Sequence, residues 1–274
     1  MPIIGIDYDK CISCGLCVKE CPRRFIEDTE KNKIIFQDPT GSCIICGHCI
    51  AICPENAILY EDLGDDPYNF DGLEDIGNYI SYEKIFNFLR AIRSIRHYKK
   101  EKVPDIILRK VIRAMECAPT GANVRAEKIA VLSEPTQIKS LSEAVSEELL
   151  KNPATRARWE GSFEVRKKIY EYPIYFDAPH VIIVYSSGNT SIEHYNIGNI
   201  ITYGRLAAQS LGLGTCYNGW TQIAFEINHK LTKIAGVRGK SWGVITIGYP
   251  SVKYLRCPPR SHKKVRGLIS SESC

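Results

Sequence analysis

No run of apolar residues in this 274-residue chain approaches the ~18 that a membrane-spanning helix needs, which excludes a helical membrane span. The first ten residues hold Asp7 and Asp9 and lack the long apolar core of a signal peptide, so a cytoplasmic location is expected. Also missing is a stripe of Lys and Arg interleaved with aromatics. That argues against nucleic acid as a partner, although the sequence pI is near 8.5. From Glu61 to Tyr79 there is no Lys or Arg. Seven acidic residues, three Gly and one Pro mark an acidic linker over 61–80, with Tyr68, Phe70 and Tyr79 as candidate anchors to a neighbouring surface. Beyond it, strands and helices do not alternate strictly, so α+β is the expected fold class rather than a doubly wound parallel sheet.

The charge that is present is divided unevenly. Residues 1–80 hold 6 Lys/Arg against 15 Asp/Glu, a net of −9, while the remainder hold 30 against 16, a net of +14. An acidic head, residues 1–60 with its linker, therefore precedes a basic body, residues 81–274. Twelve cysteines would suggest disulfides in a small secreted protein. Here eight of them crowd between residues 11 and 53 with no export signal ahead, and in a reducing compartment such density reads as metal ligation.

The head is an internal repeat. Cys11-Ile-Ser-Cys14-Gly-Leu-Cys17-Val-Lys-Glu-Cys21-Pro22 recurs as Cys43-Ile-Ile-Cys46-Gly-His-Cys49-Ile-Ala-Ile-Cys53-Pro54, with a short strand expected at Lys33–Phe36 between the copies. Zinc ribbons use paired Cys-x2-Cys units, whereas three cysteines in register followed by x3-Cys-Pro is the bacterial two-cluster pattern. The head thus resembles the two-[4Fe–4S] ferredoxins, in which each fourth cysteine serves the other cluster. Cys11, Cys14, Cys17 and Cys53 are the expected ligands of one cluster, and Cys43, Cys46, Cys49 and Cys21 those of the second. Gly15 and Gly47 let backbone N–H groups approach the sulfurs.

In the body, Ser81 is placed to cap a helix through Ile85, Phe88, Leu89 and Ile92. Pro104 starts a second helix with apolar Ile107, Val111, Ile112 and Met115. Lys128–Leu132 and His180–Tyr185 read as buried strands, Glu193–Leu211 as a long helix and Ser241–Tyr249 as a central strand. Four short motifs stand at the ends of these elements. They are Arg93-Ser94-Ile95-Arg96, Ala118-Pro119-Thr120-Gly121-Ala122-Asn123, Gly212-Leu213-Gly214-Thr215, and Gly248-Tyr249-Pro250 with Arg260 soon after. Taken singly they are a solvated helix end, a turn and a helix C-cap. In this order and spacing, the stretch from Tyr82 to Arg266 resembles the nitroreductase family of FMN-dependent oxidoreductases.

The resemblance implies an FMN site. Arg93 and Ser94 would contact the phosphate and ribityl end, Arg96 the pyrimidine edge, and Arg260 the phosphate, with Lys253 and Arg256 as substitutes. Gly212 and Gly214, followed by Thr215, would let the backbone lie against the flavin ring. Pro119, Thr120 and Asn123 would belong to the neighbouring subunit's flavin, which implies a homodimer. Arg125-Ala126-Glu127 stands where the family often carries Gln-Pro-Trp. No catalytic acid or base is assigned, and buried packing is the expected role of Cys216. The function implied is passage of electrons from the clusters to FMN and on to a small oxidised acceptor such as a nitroaromatic, a quinone or an activated alkene. The donor would be an external ferredoxin or NAD(P)H. Two alternatives stay open: an NAD(P)H-dependent FMN reductase with accessory clusters, and a non-catalytic electron carrier or redox sensor.

Overall fold

The computed structural model describes residues 2–61, 67–70, 76–188, 191–261, 263 and 265–267. Half of the acidic linker expected at 61–80, residues 62–66 and 71–75, and Cys274 lie outside these. Of the expected anchors, Tyr68, Phe70 and Tyr79 are exposed, and Tyr68 stacks edge-on against Phe70 at 5.6 Å rather than against a domain surface.

The head folds as two small two-stranded sheets around two short helices. Strand β1 (Ile3–Ile6) is followed by α1 (Leu16–Glu20), β2 (Phe25–Asp28), β3 (Lys33–Phe36), α2 (His48–Ala51) and β4 (Ile58–Tyr60). β1 pairs antiparallel with β4, and β2 with β3. The repeat is visible in the backbone: Gly15 and Gly47 precede α1 and α2 with φ of +73° and +75°, a conformation that favours glycine. Among the described residues, Ile3, Ile6, Phe25, Ile34, Ile50 and Ile58, with Ala57, join Cys17 and Cys49 in its core. So small an apolar core makes ligand-holding cysteines part of the fold's stability.

The body comprises α3 (Tyr82–Ala91), α4 (Asp105–Glu116), β5 (Lys128–Leu132), α5 (Pro135–Lys151), α6 (Pro153–Lys167), β6 (His180–Ser186), α7 (Glu193–Ser210), β7 (Gly214–Tyr217), α8 (Gly219–Ile227) and β8 (Ser241–Gly248). Its four strands form one antiparallel sheet in the order β5-β6-β8-β7. β6 reads as a continuous apolar run because both of its faces are covered. Val181 and Ile183 pack with Ile138, Leu141, Val145 and Phe225 of α5 and α8, while Ile182 and Val184 pack with Val111, Met115, Ile197 and Ile201 of α4 and α7. β5 lies at the sheet edge and is only half-buried, so the expectation of a buried strand there holds for β6 alone. Ser81 caps α3 through its Oγ, which accepts from Lys84 N–H at 3.4 Å. Ile92 falls just past the helix in extended backbone.

One buried polar link ties sheet to loop. His180 Nε2 accepts from Val103 N–H at 3.0 Å, which places its proton on Nδ1, 2.7 Å from Ser133 Oγ. Burial, aided by Lys102 and opposed by Asp105, holds the His180 pKa below its ordinary 6.5. The unfolded chain therefore takes up this proton at higher pH than the folded one. The stability is present above about pH 6.5 and is lost as pH falls towards the folded value. Thermal denaturation from about pH 7 to 5 should show a flatter loss of Tm in His180→Gln than in wild type.

Candidate functional site

Within the head, Cys11, Cys14, Cys17 and Cys53 line a single pocket with Ile6, Ile34 and Ile58. The backbone N–H of Ala57 donates to Cys53 Sγ at 3.3 Å, the kind of contact that tunes a cluster. Among the described residues no three ligand side chains converge on one metal ion. Ligands of a four-iron cluster bind four separate irons, so their thiolates stand further apart than those of one zinc. A pocket with four thiols, whose other walls are apolar apart from Glu55, suits an iron–sulfur cluster.

The Arg93–Arg96 motif is positioned by the edge of the body's sheet. Ile95 N–H donates to Thr215 O at 2.9 Å, and Ser94 forms a parallel bridge with Thr215 of β7. Further on, Lys99 N–H donates to Tyr249 O and Ser251 N–H to His97 O, so the segment is held on both sides. The strand that follows the motif thus runs beside the residues that lead to Arg256 and Arg260. The outcome is a cavity of about 540 Å³ lined by Arg93, Ser94, Arg96, Arg205, Arg256 and Arg260. Three of the arginines expected at the flavin, Arg93 and Arg260 at its phosphate and Arg96 at its pyrimidine edge, meet there, and Arg256 joins them while Lys253 does not line it. Five guanidinium groups converge with no carboxylate in the lining. The Nε of Arg93 is buried without a partner among the described residues, while its Nη1 donates to Ile92 O and its Nη2 to Cys257 Sγ. Desolvation raises the Cys257 pKa, but hydrogen bonds and charge from Arg90 and Arg93 together outweigh it and hold the thiol below its ordinary value. A dianion matches this donor set, because fork-shaped charge-assisted donors are wasted on anything less.

Arg205 went unnoticed in the sequence, although it is the sole Asp, Glu, Lys or Arg between Glu193 and Glu226. A lone cation in so uncharged a stretch is the signal that was available. Its Nε donates to Thr215 Oγ1 at 3.3 Å, so Thr215 reaches the site as an orienting partner of Arg205.

Arg96 also lines a second cavity, of about 330 Å³, with Arg158, Trp159, Arg166, Phe176, Cys216, Tyr217, Asn218 and Trp220. The Arg166 guanidinium sits 4.8 Å from the Phe176 ring and 4.7 Å from that of Trp220. Burial pulls its pKa down. Cys216 is buried, and burial pushes its thiol pKa up against the pull of Arg96, as a packed rather than reactive cysteine requires.

The other expected residues lie outside the lining of the five-arginine cavity. Gly212, at φ +74°, ends α7. Gly214 lies under Ile95, whose side-chain atoms are 2.6–2.9 Å from where a Cβ would sit. Both glycines therefore have a backbone task, the second being to admit the Arg93–Arg96 segment alongside β7. The Pro119–Asn123 turn does not line the arginine cavity of its own chain. Pro119 O accepts from Asn199 Nδ2 at 3.4 Å, Thr120 Oγ1 from Arg125 N–H at 3.1 Å, and Gly121 N–H donates to Asn196 Oδ1 at 3.0 Å. Asn123 meets the head of its own chain: its Nδ2 donates to the carbonyls of Ile44 and Ile45 at 3.2 and 2.7 Å.

A sequence model of the nitroreductase family matches residues 89–249, which holds every element from α4 to β8. The chain belongs to the nitroreductase family. A model of the 4Fe-4S dicluster domain matches residues 10–58, so this nitroreductase-family chain carries two [4Fe–4S] clusters in its head. A solved nitroreductase with bound FMN from Bacteroides fragilis superposes with a TM-score of 0.56 at 22% identity, over 69% of this chain and 99% of that one. Iodotyrosine deiodinases are also similar. The Nematostella vectensis protein is 26% identical over 48% of this chain and 54% of its own, and that of Drosophila melanogaster is 28% identical over 61% and 63%. The chain thus spans little more than half the length of these two relatives. Among the described residues no helix is long and apolar enough to cross a membrane.

Proposed function

We propose that this nitroreductase-family protein is a homodimeric FMN-dependent oxidoreductase in which electrons enter at the head, pass to FMN in the body and leave to a small oxidised acceptor. The observation that carries the reading is the cavity of five arginines around the unpartnered Nε of Arg93. In it Arg93, Arg205, Arg256 and Arg260 would hold the FMN phosphate, and Ser94 the adjoining hydroxyl chain. Arg96, shared by both cavities, places positive charge where the flavin's pyrimidine edge becomes negative. FMN, when bound, accepts electrons one or two at a time, and the clusters carry them singly.

The chain's own residues supply binding and orientation. The eight cysteines 11, 14, 17, 21, 43, 46, 49 and 53 would hold the clusters in the crossed pattern of four and four. Trp159, Phe176, Tyr217 and Trp220 offer flat apolar surfaces beside Arg96, which suits an aromatic acceptor such as a nitroaromatic or a quinone. No side chain is assigned to proton transfer. An open cleft of this kind supports an enzyme over a closed electron store. Domain limits of 1–60 and 81–274, with the linker between, are part of the same proposal.

Anaerobic analysis of the purified protein should find about eight iron and eight sulfide per chain from its two clusters, with about one FMN. Zinc in place of iron, or a chain that retains no flavin, would overturn the reading.

A further inference from the structure

The two cysteine loops of the head are copies, yet they differ at one position that meets the body. The first reads Cys11-Ile12-Ser13-Cys14 and the second Cys43-Ile44-Ile45-Cys46. Ser13 and Ile45 are equivalent, and both adopt left-handed backbone, at φ +54° and +56°. That conformation is uncommon for serine and strained for a β-branched residue. Ser13 faces solvent. Ile45, still 37% exposed, also lines a cavity of about 440 Å³ against the body, with Met115, Thr120, Asn123, Arg125 and Ile200.

Hydrogen bonds fix the second loop from both sides. From the body, both Nδ2 bonds of Asn123 go to the carbonyls of Ile44 and Ile45. From within the head, Asp38 accepts the N–H groups of Ser42 and Cys43 at 3.0 Å each and pairs with Arg24 Nε at 3.3 Å. An exposed head docked by charge alone would hold no fixed distance, because surface attraction is screened beyond about 8 Å at physiological salt. Two directed bonds to loop carbonyls hold one.

We infer that Asn123 is the clamp that seats the second cysteine loop on the body, so that the ligand set Cys43, Cys46, Cys49 and Cys21, rather than that of Cys11, forms the side of the head from which electrons leave. The inference rests on the proposed direction of flow, from head to flavin. Each reduced cluster gives up one electron, [4Fe–4S]1+ becoming [4Fe–4S]2+. Two electrons and two protons from solvent convert oxidised FMN to its dihydro form, and an external one-electron donor of the ferredoxin class restores the clusters. Asn123 is a positioning residue in this scheme.

Asn123→Asp keeps the side chain's shape and removes both donors, and Ile45→Ser copies the first loop. In the oxidised, cluster- and FMN-loaded protein, hydrogen–deuterium exchange over residues 43–48 should quicken about tenfold in Asn123→Asp, with residues 11–17 unchanged and iron content preserved. Ile45→Ser should loosen the same segment. Unchanged exchange over 43–48 in both variants overturns the clamp. The order of the loops is read separately, from FMN reduction by reduced ferredoxin in Cys14→Ala and Cys46→Ala. Loss in Cys46→Ala with partial retention in Cys14→Ala supports the inference, and the reverse order overturns it. If neither substitution slows FMN reduction, the head-to-flavin reading fails and the exit assignment with it, while exchange still judges the clamp.

Discussion

Replacing Cys14 and Cys46 together with Ala is expected to leave FMN bound and to abolish its reduction by a reduced ferredoxin. In the proposed ligand sets each substitution removes one thiolate of four, Cys14 from that of Cys11, Cys17 and Cys53, and Cys46 from that of Cys43, Cys49 and Cys21. The cavity proposed for the flavin is built by Arg93, Arg96, Arg205, Arg256 and Arg260, all on the body, so its occupancy should survive. Its walls are set by the sheet, and the body's two apolar clusters contain no residue of the head. The head, with few apolar residues in its core, should lose order as its clusters are lost. Anaerobic flavin bleaching is the readout, with retained FMN and an unchanged body Tm as controls. Persistence of ferredoxin-driven reduction in the double variant would show that electrons reach the flavin without the head. NADH or NADPH as donor, tried on the same variant, separates the alternative in which a nicotinamide serves the flavin directly.

Arg93→Ala should weaken FMN retention by roughly ten- to a hundredfold. A hydrogen bond from a charged group contributes about 1.5–3 kcal/mol, and about 1.4 kcal/mol is a factor of ten. Arg93 is the arginine of the cavity with a buried, unpartnered Nε, so it has a donor ready for a ligand and none to lose to solvent. Its Nη2 is held by Cys257, which orients the guanidinium before any ligand arrives. Equilibrium dialysis of FMN against the variant measures the effect. Unchanged affinity would remove Arg93 from the site.

Much of this architecture was legible in the sequence, for identifiable reasons. The cysteine repeat is legible because cluster ligation fixes residue type and spacing together, and Gly15 and Gly47 show it again as matched left-handed turns. β6 and β8 were legible as long β-branched runs because both faces of each strand are buried. β7 was not, because Gly214–Tyr217 is four residues long, begins with glycine and follows directly on the end of α7. Its motif reads locally as a helix cap, and only pairing with β8 and the Ile95–Thr215 bond reveal a strand. Asn123 shows the limit of a single motif. Its position in the turn was legible, but its partners are carbonyls 78 and 79 residues earlier, a contact no local pattern encodes. The aromatic cleft was missed for the same reason, since Arg158 and Arg166 come from α6, whose polar sequence reads as a solvated helix.

The most direct measurement of the central claim is rapid anaerobic mixing of the wild-type protein with reduced ferredoxin, following cluster and flavin absorbance together. Passage through the head predicts that the iron–sulfur absorbance bleaches first and that the flavin band then falls as the clusters reoxidise. Flavin bleaching at its full rate while the clusters remain oxidised would contradict it.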